Sequence, residues 1–196
     1  ADACSKGRQV YWVCTLIEES ETLQCQAAEV TAQQLSKLIP NAKVGLVHGR
    51  MNQASKTNVM NDFKARNLEL LVATTVIEVG VDVSNASLMI IENSERLGLA
   101  QLHQLRGRVG RGNEESHCVL IYKKPLSKHG KERLDVMRQS NDGFFIAEKD
   151  LEIRGPGELL GARQSGTVNF RIADLLRDQK MLPEVRETSM QMVLTD

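Results

Sequence analysis

The sequence predicts an α/β fold, a parallel sheet with helices on both faces, followed by a C-terminal helical hairpin and loop. Three observations predict it. Short, near-continuous apolar runs of β-formers alternate with longer stretches of helical periodicity. Such runs, apolar rather than alternating, are what strands buried on both faces require. After residue 122 the strand pattern stops, and two helical patterns flank the turn sequence Asn141-Asp142-Gly143.

In chain order, residues 1–7 read as a linker or the scar of a longer protein, so the chain is expected to start in mid-protein. Residues 10–16 form a buried-strand run around Tyr11 and Trp12. Residues 21–39 carry Leu23, Ala27, Val30, Leu35 and Leu38 at helical spacing until Pro40 stops them. A second strand over 43–48 leads to a helix that Asn52 can cap, whose apolar stripe is Ala54, Val59, Met60 and Phe63. Residues 68–74 make a third strand and 86–92 a fourth, reached through an unusual turn. A helix and then a strand over 116–122 close the sheet.

Beyond it, 126–140 reads as a basic amphipathic helix with Leu134 and Met137 inward and Lys128, Lys131, Arg133 and Arg138 outward. Residues 144–154 should return as the second arm of a hairpin, and Leu175, Leu176 and the apolar residues of 190–194 suggest helices seeking a partner surface. There is no internal repeat and no low-complexity tract.

Composition narrows the function. The 196 residues, 41% hydrophobic and 26% charged, suffice for one ordinary domain plus an appendage. Aromatics are only 4%, so stacking platforms for single strands are not advertised and phosphates would dominate any nucleic-acid contact. Cys4, Cys14, Cys25 and Cys118 have no zinc-ligand spacing, which points to structural thiols in a reducing compartment and no metal site. No apolar run reaches membrane-spanning length and the N-terminus carries no signal pattern.

Against 25 basic and 25 acidic residues overall, the stretch 96–113 holds four arginines and no acid. Within it, Arg106-Gly107-Arg108-Val109-Gly110-Arg111-Gly112 sets fixed guanidinium charges beside backbone free to approach a polyanion. A merely solvated basic helix end would not require Gly107 and Gly110, both poor helix residues. In a doubly covered parallel sheet, ligands bind beyond the carboxyl ends of the strands. Two such loops carry candidate chemistry. After the second strand, Gly49 allows a sharp turn in His48-Gly49-Arg50-Met51, and Arg50 offers a cation. After the third, Thr74 and Thr75 can donate to a phosphate, Gly80 lets backbone pass close to a nucleotide, and Asp82 can accept from a ribose hydroxyl or anchor the arginine-rich segment.

The spacing Gln104-x-x-Gly107-Arg108-x-x-Arg111 resembles the sixth motif of superfamily 2 helicases and translocases, ATP-driven motors that run on nucleic acid. The His48 loop and the run Thr74-Thr75-Val76-Ile77-Glu78-Val79-Gly80-Val81-Asp82 resemble their motifs IV and V, and the three occur in the family's order. The resemblance implies the second of two RecA-like lobes. On it Arg108 would touch the terminal phosphate of ATP and Arg111 would be the arginine finger. Missing from the chain are a G-x-x-x-x-G-K-[ST] phosphate cradle and an Asp-Glu pair to place magnesium, so alone it should not hydrolyse ATP. ATP and Mg2+ would be held mainly by an absent first lobe.

The hairpin is followed by Arg154-Gly155-Pro156-Gly157-Glu158-Leu159-Leu160-Gly161 and by Arg163-Gln164-Ser165-Gly166. Together these resemble the translocation motif shared by the RecG and Mfd families of double-strand DNA translocases. By that resemblance Arg133, Arg154 and Gln164 would couple hairpin to loop, and Arg163 would contact phosphate. Residues 8–124 then form the lobe and 125–196 the translocation motif with a helical extension. The sequence favours the RecG family, implying a bacterial, cytoplasmic and nucleoid-associated helicase that remodels stalled forks and branched recombination intermediates. Its partners would be branched or double-stranded DNA and the N-terminal lobe and wedge domain of the same parent, with no membrane. The corresponding part of an Mfd coupling factor and a non-catalytic interaction module are the alternatives.

Overall fold

The structure, a computed structural model, describes residues 2–15, 21–75, 83–110, 115–154 and 179–195. Its elements are α1 (Asp2–Ser5), β1 (Gln9–Val13), α2 (Glu21–Leu38), β2 (Val44–Val47), α3 (Gln53–Lys64), β3 (Leu70–Ala73) and β4 (Ala86–Ile91). After a 3-10 turn at Ser94–Arg96 follow α4 (Leu99–Arg106), β5 (His117–Leu120), α5 (Lys128–Gln139) and α6 (Gly143–Arg154). A 3-10 turn at Gln179–Met181 precedes α7 (Leu182–Thr195). The five strands lie in the order β2-β3-β1-β4-β5, all parallel. This is the expected covered parallel sheet, with β1 at its centre between β3 and β4.

The alternation of side chains along β1 explains the two layers. Val10 and Cys14, with Leu70 and Val72 of β3, pack on Ala28, Ala32 and Leu35 of α2, and Trp12 adds to that side. Small residues on α2 let the helix approach the sheet. Tyr11 points the other way and meets Phe63 of α3 edge to face, with ring centroids 4.9 Å apart. Such a pair contributes about 0.5–1.5 kcal/mol beyond its buried area. Gln9, the buried polar residue that opens β1, is satisfied: Nε2 donates to the carbonyls of Phe63 and Leu68, and Oε1 accepts from Asn85 Nδ2 at 3.3 Å. Asn52 caps α3 as its sequence suggests, accepting from Ser55 N at 2.8 Å.

Three expectations need correction. The N-terminal residues are not a bare linker: Asp2–Ser5 is helical, Arg8 N donates to Ala3 O at 3.0 Å, and Ala3 and Cys4 pack on the α2 core. The strands are shorter than their apolar runs, and Leu16, expected in β1, lies outside the described residues. Coverage of the sheet also thins at β5, where Val119 is 44% exposed although apolar. The apolar run shows that β5 is a strand without showing that it is an edge.

The chain divides into two compact units, Ala1–Ala147 and Glu148–Asp196. The first holds the sheet, its helices and α5. In the second, Lys149 Nζ lies 2.6 Å from Glu152 Oε2, and α7 leaves Val185, Met190 and Met192 exposed. Among the described residues no helix is long and apolar enough to cross a membrane.

Candidate functional site

The loops after β2 and β3 start side by side, because the strands are neighbours and Thr74 N donates to Val47 O at 3.2 Å. Strand pairing therefore joins the His48 loop and the Thr74-Thr75 step into one surface. Within it the residues differ. His48, its side chain 12% exposed, turns back toward α2, with Nε2 3.5 Å from Glu29 Oε1. Lys56 Nζ donates to Gly49 O at 2.8 Å and holds the turn against α3. Arg50 is exposed. Thr74 is fully buried and Thr75 only half-buried, so Thr75 is the better placed of the two to meet a phosphate.

This edge is also where polar groups lack partners. Thr74 Oγ1 and His48 Nδ1 are buried, and neither meets a hydrogen-bonding group among the described residues. A buried hydroxyl left unpaired costs about 1–3 kcal/mol, and such groups mark strain or function rather than ordinary packing. One strand further, the same edge is closed. Thr15 Oγ1 donates to Glu92 O at 2.6 Å, tying the end of β1 to that of β4. Asn93 supports the tie in a left-handed conformation (φ +45°) that asparagine tolerates. Neither Thr15 nor Asn93 stands out in the sequence.

The arginine run occupies a different place. Helix α4 buries Leu99, Leu102 and Leu105, which leaves Gln104 exposed and His103 and Arg106 half-buried. The helix closes through Gly107, whose N–H donates to His103 O at 2.9 Å, and Arg108 N donates to Leu105 O at 3.0 Å. Gly110 then takes φ +81°, and a Cβ there would run into Ser116 Oγ, so the glycine is required on both counts. Ser116 immediately precedes β5. Two strands, β1 and β4, thus separate this turn from the β2–β3 loops. The structure brings His48, Gly49, Arg50, Thr74 and Thr75 together and sets Gln104 and half-buried Arg108 apart from them. Gly80, Asp82, Arg111, Arg163 and Gln164 lie outside the described residues.

The hairpin corrects one orientation. Arg133, expected on the outer face of α5, points into the lobe: Nη2 donates to Glu95 O at 2.8 Å, while Nε is buried without a partner among the described residues. Helical periodicity locates an apolar stripe but does not reveal that a carbonyl of the 3-10 turn lies beside its border. Arg154 pairs with Asp150 one turn earlier, Nε to Oδ2 at 3.2 Å. Sequence reasoning missed Arg106, which it counted among the phosphate-facing cations. Arg106 Nη1 donates to Met137 O at 2.9 Å and Ser140 O at 2.8 Å.

All four cysteines are free thiols. Burial pushes the Cys14 thiol up to about 12, with Glu92 adding to the effect and a hydrogen bond from Thr31 opposing it. Burial likewise raises Cys118 to about 11 against the pull of the Arg106 charge. Neither is a thiolate at neutral pH, so neither is a ready nucleophile. Among the described residues no three metal-ligating side chains gather.

Comparison with known proteins matches the profile of helicase conserved C-terminal domains to residues 3–113, and that of domain 3, C-terminal, of the ATP-dependent DNA helicase RecG to residues 140–196. The chain is 70% identical to the ATP-dependent DNA helicase RecG of Escherichia coli (strain K12) over 185 residues, 94% of this chain and 27% of that protein. Against RecG of Haemophilus influenzae identity is 63% over 186 residues, again 94% and 27%. A structure of RecG bound to a three-way DNA junction superimposes with a TM-score of 0.70 at 45% identity, over 91% of this chain and 22% of that one. The fold is therefore the RecA-like lobe that the motifs imply. The chain spans about a quarter of the length of these relatives, with shares of 27% in both sequence matches. The Mfd alternative is not supported, since the C-terminal profile and these relatives are RecG.

Proposed function

The chain belongs to the family of helicase conserved C-terminal domains, and on that premise we propose that it is the second RecA-like lobe and translocation motif of a RecG-type ATP-dependent DNA helicase. Residues 8–124 act as the lobe and 125–196 as the translocation motif with its helical extension. The parent moves on double-stranded DNA and remodels branched substrates such as stalled forks and recombination intermediates, in the bacterial cytoplasm and at the nucleoid. Its first lobe holds ATP with magnesium, and its wedge domain reads the branch.

The observation that carries this reading is the separation of two polar surfaces on one sheet. The β2–β3 loops, with Arg50, Thr75 and the Thr74 hydroxyl that has no partner among the described residues, suit the phosphates of a tracked strand. The glycine-bounded end of α4 carries Arg108 and leads to Arg111, which suits the far side of a nucleotide cleft. Gln104 belongs to the same segment, and the nucleotide-binding role expected of Gly80 and Asp82 from the sequence is part of the same reading. Magnesium nucleotide, when bound, supplies the transferable phosphoryl group. This chain's part is to place arginine charge where negative charge develops, an effect of ~10³–10⁵ in turnover for an arginine finger.

The test is ATPase activity, with and without branched DNA, after mixing this chain with a separately produced lobe that bears the phosphate cradle and magnesium-binding acids. DNA-stimulated turnover that disappears on Arg111→Ala is the expected result. No turnover from pieces shown to associate would leave the chain as a non-catalytic interaction module.

A further inference from the structure

Arg106 ends α4, two residues before Arg108, and its guanidinium is turned toward the end of α5. Nη1 donates to the carbonyls of Met137 and Ser140, at 2.9 and 2.8 Å, where α5 ends. These sit among the last carbonyls of a helix, which have no partner within it and carry the negative end of its dipole. A planar guanidinium serves both with one amino nitrogen and keeps the other free for a third group, which the single nitrogen of an ammonium cannot do. Nη2 lies 3.1 Å from Nδ1 of His103, one turn back in α4.

His103 completes the grip. A Cβ on Gly143, the first residue of α6, would stand 3.1 Å from His103 Nε2, so the imidazole rests against the start of the second hairpin arm. Two side chains of one short helix thus hold the end of α5 and the beginning of α6. Burial lowers the Arg106 pKa, which shows that the charge is held at some cost in solvation. Arg133 anchors α5 a turn earlier, to Glu95 O in the 3-10 turn between β4 and α4. Helix α5 is therefore fixed at one point to the sheet side and at another to the end of the arginine helix. Displacement of the latter against the former swings the hairpin turn.

We propose that Arg106 is a positioning residue that transmits movement of the Gly107–Gly110 turn to the start of the α5–α6 hairpin. The assignment rests on the motor function above and adds a link upstream of the hairpin-to-loop coupling expected of Arg133, Arg154 and Gln164. In that reading a shift of Arg108 with the state of the nucleotide is passed to the end of α4, two residues away. Arg106 and His103 carry that shift into the hairpin turn.

The experiment compares the intact RecG-type parent with its Arg106→Gln and Arg106→Lys variants. DNA-stimulated ATPase, junction unwinding and hydrogen exchange of amides 137–143 are measured on the same preparations. Arg106→Gln should retain ATPase within about threefold while unwinding per ATP falls roughly tenfold, a size typical of energetic coupling between sites. Arg106→Lys, which keeps the charge and the fold but loses the second nitrogen that meets His103, should fall between, with faster exchange confined to the hairpin turn. Unwinding per ATP unchanged in Arg106→Lys, or ATPase and unwinding lost in equal proportion in both variants, would overturn the assignment. A parent without DNA-stimulated ATPase would instead remove the motor reading itself.

Discussion

The carboxyl ends of β2 and β3 and the joint between α4 and α5 are both polar, but their hydrogen bonds are arranged in opposite ways. At the strand ends the Thr74 hydroxyl and His48 Nδ1 are buried without partners among the described residues. At the joint, Arg106 donates to two helix-terminal carbonyls and meets a ring nitrogen. The difference separates two kinds of functional residue. A group left unsatisfied makes the fold less stable than it could be, and an external ligand can recover that cost. A satisfied group at the contact of two helices stabilises the fold and also fixes how one helix follows the other.

The largest test of this contrast lies just past the joint. Arg111→Ala in the intact parent should lower DNA-stimulated ATPase by ~10³-fold or more with the melting temperature unchanged. Retained turnover would remove Arg111 as the finger. Next, Arg106→Ala in this chain should cost roughly 2 kcal/mol in denaturant unfolding, since a charged hydrogen bond contributes about 1.5–3 kcal/mol. A loss under ~0.5 kcal/mol would make the joint no tighter than an exposed ion pair.

At the strand ends the sign should reverse. Thr74→Val, which keeps the shape and deletes the unpaired hydroxyl, should stabilise the chain by about 1 kcal/mol. Destabilisation of that size would show the hydroxyl to be satisfied, and the contrast with Arg106 would fail. The remaining effect is alkaline. Cys14 and Cys118 keep their protons in the folded chain up to about 12 and about 11. In the unfolded chain thiols ionise near the ordinary value of 9.0. Their contribution is therefore complete below pH 9, and unfolding titrations should show stability declining from there toward pH 11–12. Cys14→Ala combined with Cys118→Ala should flatten that decline. An unchanged slope would show that other groups cause it.

Much of the lobe was legible because its strands are buried on both faces. Burial leaves apolar runs such as 70–73, and the intervening helices announce themselves by caps such as Asn52. The glycine at position 110 was legible for a related reason, since a left-handed turn tight against Ser116 admits little else. The roles of the arginines were not. Arg106, Arg108 and Arg133 look alike in the chain, yet one holds a helix end, one is half-buried beside the turn and one reaches a 3-10 carbonyl. Which carbonyl a long cation finds depends on packing between elements distant in sequence, and periodicity holds no record of that.

By itself the sequence determined the parallel α/β class, the order of the motif segments and the hairpin that follows them. These depend on local chemistry, on β-branched and apolar runs, caps and glycines, which act over a few residues. Only the tertiary structure decided the strand order. That order joins the β2 and β3 loops, puts two strands between them and the arginine turn, and makes β5 an edge. It also decided that Arg106 faces the hairpin. Strand order and side-chain partners are settled by burial and hydrogen bonding across the whole sheet, where residues such as 106 and 140 meet although 34 positions separate them.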